Sequence, residues 1–207
     1  MNVRIAVEDA LSEAILRRLL SASRKDYKVE LCYPQRTQGV LPAHSGWGAL
    51  YSNRAAFAGV SATVPVIVLV DLDDRVCPKT MAAAWKQGLP ASPNFLIRIA
   101  VREAEAWLLA DFDELMTYLH VSGREAGKPP ESVRDPKQAI VCYASKSRVA
   151  DIRRDMVPLK VGSGVVGRGY SSLMRSFVND HWNPRRAAKT SESLRRAIAA
   201  LEAFGQS

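Results

Sequence analysis

Val64-Pro65-Val66-Ile67-Val68-Leu69-Val70-Asp71-Leu72-Asp73-Asp74 is an unbroken apolar run that ends abruptly in three carboxylates. A run this long and rich in β-branched residues predicts a strand buried on both faces, as in the middle of a parallel sheet covered by helices. Side chains alternate along an extended chain, so alternation predicts that Asp71 and Asp73 project to one side and Asp74 to the other. Two carboxylates that close repel unless a cation sits between them. At the carboxyl end of a central strand, where open α/β sheets place their ligands, the natural candidate is a divalent metal ion.

Working outward, the same β-then-α pattern recurs. Val3-Arg4-Ile5-Ala6-Val7 reads as a first strand stopping at Glu8-Asp9, and Leu11, Ile15 and Leu19 follow at helical spacing. A second strand is expected over Tyr27–Tyr33, then a Pro- and Gly-rich loop over 34–48 carrying Arg36 and His44, then a helix from about 49 to 60. Pro78 is placed to start a helix that Gly88 would stop. Phe95–Val101 is a further strand, feeding a helix that begins near Arg102 or Glu103. This alternation predicts a parallel, three-layer α/β fold over residues 1–122. Residues 123–136 read as a connector, and a basic, mainly helical extension over 123–207 is expected to pack on the first domain, with helices near 136–155, 170–181 and 191–204.

Composition sets the bounds. The chain has 207 residues, 47% hydrophobic and 24% charged, enough for one sizeable core with an appendage or for two small domains. No apolar segment nears the roughly 20 residues that span a bilayer, and Met1-Asn2-Val3-Arg4 lacks a signal-peptide layout, so a cytoplasmic protein is expected. Cys32, Cys77 and Cys142 are odd in number and widely spaced, which argues against a disulfide framework and against a zinc site. Residues 1–133 hold 15 basic and 15 acidic side chains, whereas 134–207 hold 14 and 6, so the whole excess of +8 lies in the last third. A neutral acid-bearing part joined to a basic part suits a polyanion; a plain solvated basic surface is the alternative.

Three acidic clusters fall at equivalent junctions: Glu8, then Asp71, Asp73 and Asp74, then Glu103 and Glu105. In a parallel sheet these junctions share one edge, so the carboxylates can converge on magnesium, which takes few protein oxygens and is completed by water and phosphate. Metal-assisted phosphodiester chemistry uses all these pieces. Helix N-caps are the competing reading of acids at such positions. Gly162-Ser163-Gly164-Val165-Val166-Gly167 has the G-x-G-x-x-G spacing, but no strand follows it, so it reads as a loop that either lays backbone amides and Arg168 along phosphates or is an ordinary turn. Arg185, Arg186 and Lys189 complete the candidate phosphate contacts, alongside Arg153/Arg154 and Arg195/Arg196. His44, His120 and His181 share no metal-ligand spacing.

Val7-Glu8-Asp9-Ala10-Leu11-Ser12-Glu13 and Val68-Leu69-Val70-Asp71-Leu72-Asp73-Asp74 resemble the two signature motifs of the TOPRIM domain of type IA topoisomerases, primases and overcoming-lysogenization-defect nucleases. Glu103-Ala104-Glu105-Ala106-Trp107-Leu108-Leu109-Ala110-Asp111 is similar to a segment of a small TOPRIM-like bacterial family often encoded near ATPases in defence islands. Gly167-Arg168-Gly169-Tyr170, Trp182-Asn183 and Ser191-Glu192-Ser193-Leu194-Arg195-Arg196 also look like that family. The resemblance implies a Mg²⁺- or Mn²⁺-dependent nuclease of DNA or RNA in defence against phage, with Glu8 as general acid/base or shared ligand and Asp71 and Asp73 as metal ligands. Glu103 or Glu105 would complete a second site. Asp9 stands where TOPRIM domains usually carry Gly, which points to the alternative: a non-catalytic nucleic-acid-binding subunit or partner of a neighbouring ATPase. A nucleotidyl or phosphoryl transferase is a third reading of the same site.

Overall fold

In the computed structural model, residues 1–23, 25–34, 46–74, 77–122, 128–159 and 165–205 are described. The chain divides into two compact units, Met1–Val101 with Arg196–Ser207, and Arg102–Arg195. The division falls at 101/102, so the expected boundary at 122/123 lies inside the second unit.

The first unit is a parallel α/β sheet flanked by helices. Its elements are β1 (Asn2–Ala6), α1 (Ala10–Ser21), β2 (Lys28–Tyr33), α2 (Trp47–Ser52), α3 (Arg54–Val60), β3 (Val66–Asp71), α4 (Pro78–Lys86) and β4 (Phe95–Ala100). The four strands lie in the order β2-β1-β3-β4, all parallel. The opening stretch is the centre of this sheet: Val66 to Val70 are each 0–1% exposed, and a strand with β-branched residues on both faces is stable only where both faces are covered. Val66, Val68 and Val70 pack with Leu50, Phe57, Met81 and Trp85 from α2, α3 and α4. Ile67 and Leu69, whose side chains alternate to the other face, share burial with Ile15, Leu16 and Leu19 of α1. Full burial of one such side chain is worth about 1.5–3 kcal/mol.

The expected single helix over 49–60 is two, broken at Asn53, whose side-chain Nδ2 donates to Ala49 O at 2.8 Å and satisfies a terminal carbonyl of the first. The stop after α4 is as expected, with Gly88 at φ 74, a conformation that glycine adopts without a Cβ penalty.

The second unit is helical: α5 (Ala104–Leu109), α6 (Phe112–Tyr118), a short 3₁₀ turn at Pro130–Ser132, α7 (Pro136–Ala144), α8 (Ala150–Met156), α9 (Tyr170–Asp180), α10 (Pro184–Ala187) and the start of α11 (Glu192–Ala203). The helix expected over 136–155 is interrupted after Ala144, where Ser147 Oγ instead accepts from Val149 N at 3.1 Å. Arg196–Ser207 returns to the first unit, where Tyr27 donates its hydroxyl to Leu201 O at 2.8 Å and Lys25 Nζ bonds Phe204 O. No helix among the described residues is long and apolar enough to cross a membrane.

Candidate functional site

The chain leaves β1 towards β2 on one side and returns through β3 towards β4 on the other. β1 and β3 are therefore neighbours whose onward connections diverge, which opens a crevice at their carboxyl ends, the place where such sheets bind ligands. Arg4 pairs with Val66 and Ala6 with Val68, and Glu8 follows two residues past the end of β1. Glu8 is half-buried, and its Oε1 accepts a hydrogen bond from Asp71 N at 2.9 Å. The first acid thus sits against the backbone that carries the second, although 63 residues separate them in the chain.

Asp71, the last residue of β3, is half-buried and Asp73 is exposed. The alternation argument for Asp71 and Asp73 does not hold. β3 ends at Asp71, and Asp73 has φ 51, in the left-handed region that a short polar side chain tolerates better than most. Leu72, buried at 5% exposure, anchors this turn by donating its N–H to Ala100 O at 2.9 Å. With no extended chain beyond Asp71, strand alternation says nothing about Asp74 either.

Asp9 has φ −150 in extended backbone, and its Oδ1 accepts from Ser12 N at 2.8 Å, capping α1. The position requires no glycine. Glu13 is buried at 7% exposure and its Oε1 accepts from Arg17 Nε at 2.8 Å, while Arg17 Nη1 reaches Val29 O at 3.1 Å. Its carboxylate supports α1 against β2.

Glu103 and Glu105 belong to the second unit. Glu103 precedes α5 and its Oε2 accepts from Lys137 N at 3.3 Å. Glu105 is only 3% exposed; its Oε1 lies 3.4 Å from Lys137 Nζ and accepts from the Tyr170 hydroxyl at 3.4 Å. A carboxylate this buried requires such a cation. Asp111, at the other end of α5, is 2% exposed, with both oxygens taken by Arg186: Nε bonds Oδ1, and Nη2 bonds Oδ2 at 2.8 Å. Asp111 Oδ2 also accepts from Asn183 N at 3.0 Å. Arg186 also reaches Glu114 Oε2 at 3.1 Å, and the Asp111 carboxylate holds its guanidinium still more firmly protonated. Its side chain is thereby committed to acids of its own unit; Arg168, Arg185 and Lys189 are exposed.

Between these acids, Trp107 is fully buried, donates Nε1 to Ser193 Oγ at 2.8 Å and accepts at its carbonyl from Trp182 Nε1 at 3.2 Å. The motifs quoted for resemblance, around 103–111, 170, 182–183 and 191–193, are thus joined in one buried network. Asp111 was missed as a buried ion-pair acid; its signal was an acid in the apolar run Ala106-Trp107-Leu108-Leu109-Ala110. Within the glycine-rich run, 162–164 lie outside the described residues, as do Arg36 and His44. Gly167 N donates to Met156 O at 2.9 Å, and a Cβ there would fall 2.4 Å from Asp155 O. Glycine is needed at 167 because two backbones approach closely.

Among the described residues no group of three or more His, Cys, Asp or Glu side chains is set to hold a metal ion. The donor set at the β1/β3 crevice is nonetheless all oxygen, and Mg²⁺ or Mn²⁺ is commonly bound through one or two carboxylates with water and phosphate oxygens completing the shell. Glu8 and Asp71, with Asp73 two residues on, fit that pattern. The profile of the family described as "Domain of unknown function (DUF4276)" matches residues 7–151, and the chain belongs to that family. No curated protein and no solved structure matches it.

Proposed function

We propose that the chain is a metal-dependent phosphodiesterase of DNA or RNA with a TOPRIM-like site at the carboxyl ends of β1 and β3. The observation that carries this reading is the bond from Asp71 N to Glu8 Oε1, which holds two acids together at the switch point of a parallel sheet. Glu8 and Asp71 would hold Mg²⁺ or Mn²⁺, with Asp73 as a further ligand. The bound ion would supply charge neutralisation and polarisation of the scissile phosphate. Glu8 is half-buried and its Oε1 is fixed by the Asp71 N–H, which sets its carboxylate beside the backbone of the second acid. Arg168, Arg185 and Lys189, exposed on the second unit, are that unit's candidate phosphate contacts. Activity in the cytoplasm against phage nucleic acid, beside an ATPase partner, is the biological setting that the motif resemblance implies.

A second reading has its own support. The absence of a ready three-acid group among the described residues, with Glu105 neutralised by Lys137, favours a nucleic-acid-binding subunit without chemistry.

One experiment separates the two. Purified protein is incubated with plasmid, single-stranded DNA and RNA in Mg²⁺ or Mn²⁺, beside Glu8→Ala and Asp71→Ala. The expected result is cleavage abolished by chelation and reduced on the order of 100-fold or more in either variant. Cleavage indifferent to both substitutions would remove the site assignment. Salt-sensitive binding without cleavage would favour the second reading.

A further inference from the structure

The second unit contains a cavity of about 330 Å³, within the range of small-ligand sites, and none of the carboxylates described above lines it. Its apolar walls include Leu109, Val133 and two aromatic rings, Phe112 and Tyr143. Those rings meet edge to face, centroids 5.5 Å apart and planes at 77°, an arrangement in which neither ring covers both faces of the other. Two cations, Lys128 and Arg134, complete the lining. Both are exposed, and neither bonds or ion-pairs with another described residue.

The charge among the described lining residues is one-sided. Among the described residues no Asp or Glu lines it, and Asp135 and Glu131, each next in sequence to a lining residue, are committed elsewhere. Asp135 caps α7 through Gln138 N at 2.7 Å. Glu131 Oε1 accepts from Ser191 Oγ at 2.6 Å and from Ser193 N at 2.7 Å. Two cations without acidic partners beside an aromatic wall match a ligand that is flat and apolar at one end and anionic at the other. Phosphate satisfies the cations, and a heterocycle satisfies the rings.

We propose that this cavity binds a nucleoside monophosphate unit, its base against Phe112 and Tyr143 and its phosphate at Lys128 and Arg134. The unit can come from a free nucleotide or from one unstacked nucleotide of a single strand. The proposal does not depend on the reading of the acidic crevice, which lies in the other unit.

The test is calorimetric titration of the full chain in chelator-containing buffer, where metal-dependent cleavage cannot contribute. The probes are AMP, UMP, ribose 5-phosphate, inorganic phosphate and a short oligo(dT), applied to the wild type, Tyr143→Leu and Arg134→Glu. A nucleotide or the oligonucleotide is expected to bind about tenfold or more tightly than ribose 5-phosphate. Each variant, with an unchanged circular dichroism spectrum, is expected to weaken that binding by about tenfold. Tighter binding of the mononucleotide identifies a free nucleotide as the ligand, and tighter binding of the oligonucleotide identifies a strand. Arg134 is exposed, so its substitution keeps the test open even if Tyr143→Leu fails to fold. The proposal is overturned if no nucleotide or strand binds, if ribose 5-phosphate binds as tightly as AMP and UMP, or if both variants bind as the wild type does.

Discussion

Glu8 and Asp71 lie at the ends of β1 and β3, and Glu105 and Asp111 lie in and just after α5; the two pairs of acids differ sharply in burial. The first pair is half-buried, and Glu8 takes a backbone N–H. The second pair is 2–3% exposed and neutralised by Lys137 and Arg186. An acid at a helix start is therefore no guide to chemistry by itself. Burial to 2–3% exposure against a bound cation marks Glu105 and Asp111 as acids that hold a fold together.

The strongest test of that contrast is thermodynamic. Asp111→Ala removes the carboxylate that binds Arg186 and Asn183 N, and should cost about 3 kcal/mol, the lower end for a broken buried pair because Arg186 is 45% exposed and can turn to water. Glu8→Ala removes the hydrogen bond from Asp71 N at a half-buried position and should cost about 1 kcal/mol. Urea unfolding with unchanged slopes measures both. Equal losses would erase the distinction between the two clusters.

A second test leaves charge out. Gly167→Ala places a methyl group 2.4 Å from Asp155 O and 2.7 Å from Met156 C, both backbone atoms that cannot swing away. Overpacking of this kind costs about 1–3 kcal/mol. If the glycine-rich run served only to lie along phosphates, this substitution would leave the unfolding midpoint in place and weaken nucleic-acid binding instead.

The sheet was legible because its signals are local. A run such as Val66–Val70 satisfies only one environment, and acids at the ends of Val3–Val7 and Val66–Val70 mark the same sheet edge. A parallel sheet puts Glu8 and Asp71 on one edge, but their direct contact depends on β1 and β3 being neighbours, which is not a local property. What stayed hidden were pairings across long stretches of chain, Asp111 with Arg186 and Trp107 with Ser193, which leave no periodicity. The turn at Asp73 was hidden for a different reason. Asp-Leu-Asp-Asp is compatible with an extended chain or a turn, and the anchoring of Leu72 to Ala100 decides it. Charge was misleading in the same way. Divided at 133, the basic excess lies wholly in the tail; divided between the two units, it is 13 basic against 9 acidic residues and 16 against 12, so each unit carries half. The case for a polyanion then rests on exposed cations in particular places, such as Lys128 and Arg134, and not on a basic tail.

The smallest expected effect concerns Asp9, where the TOPRIM pattern has glycine. Asp9→Gly exchanges a side-chain cap for a residue that is itself acceptable at an N-cap, so the loss should be a few tenths of a kcal/mol, or about 1 °C in Tm for a chain of this size. Asp9→Ala, which has neither a capping oxygen nor glycine's freedom, should cost about 1 kcal/mol. Because Asp9 sits in extended backbone and is exposed, the charge it adds beside Glu8 is largely screened by water. Cleavage by Asp9→Gly should accordingly stay within about twofold of wild type, a change of under about 0.5 kcal/mol in the barrier. A gain of about tenfold or more on restoring glycine would mean that the Asp9 carboxylate acts on the crevice directly, and the first acidic cluster would have to be redrawn with Asp9 inside it.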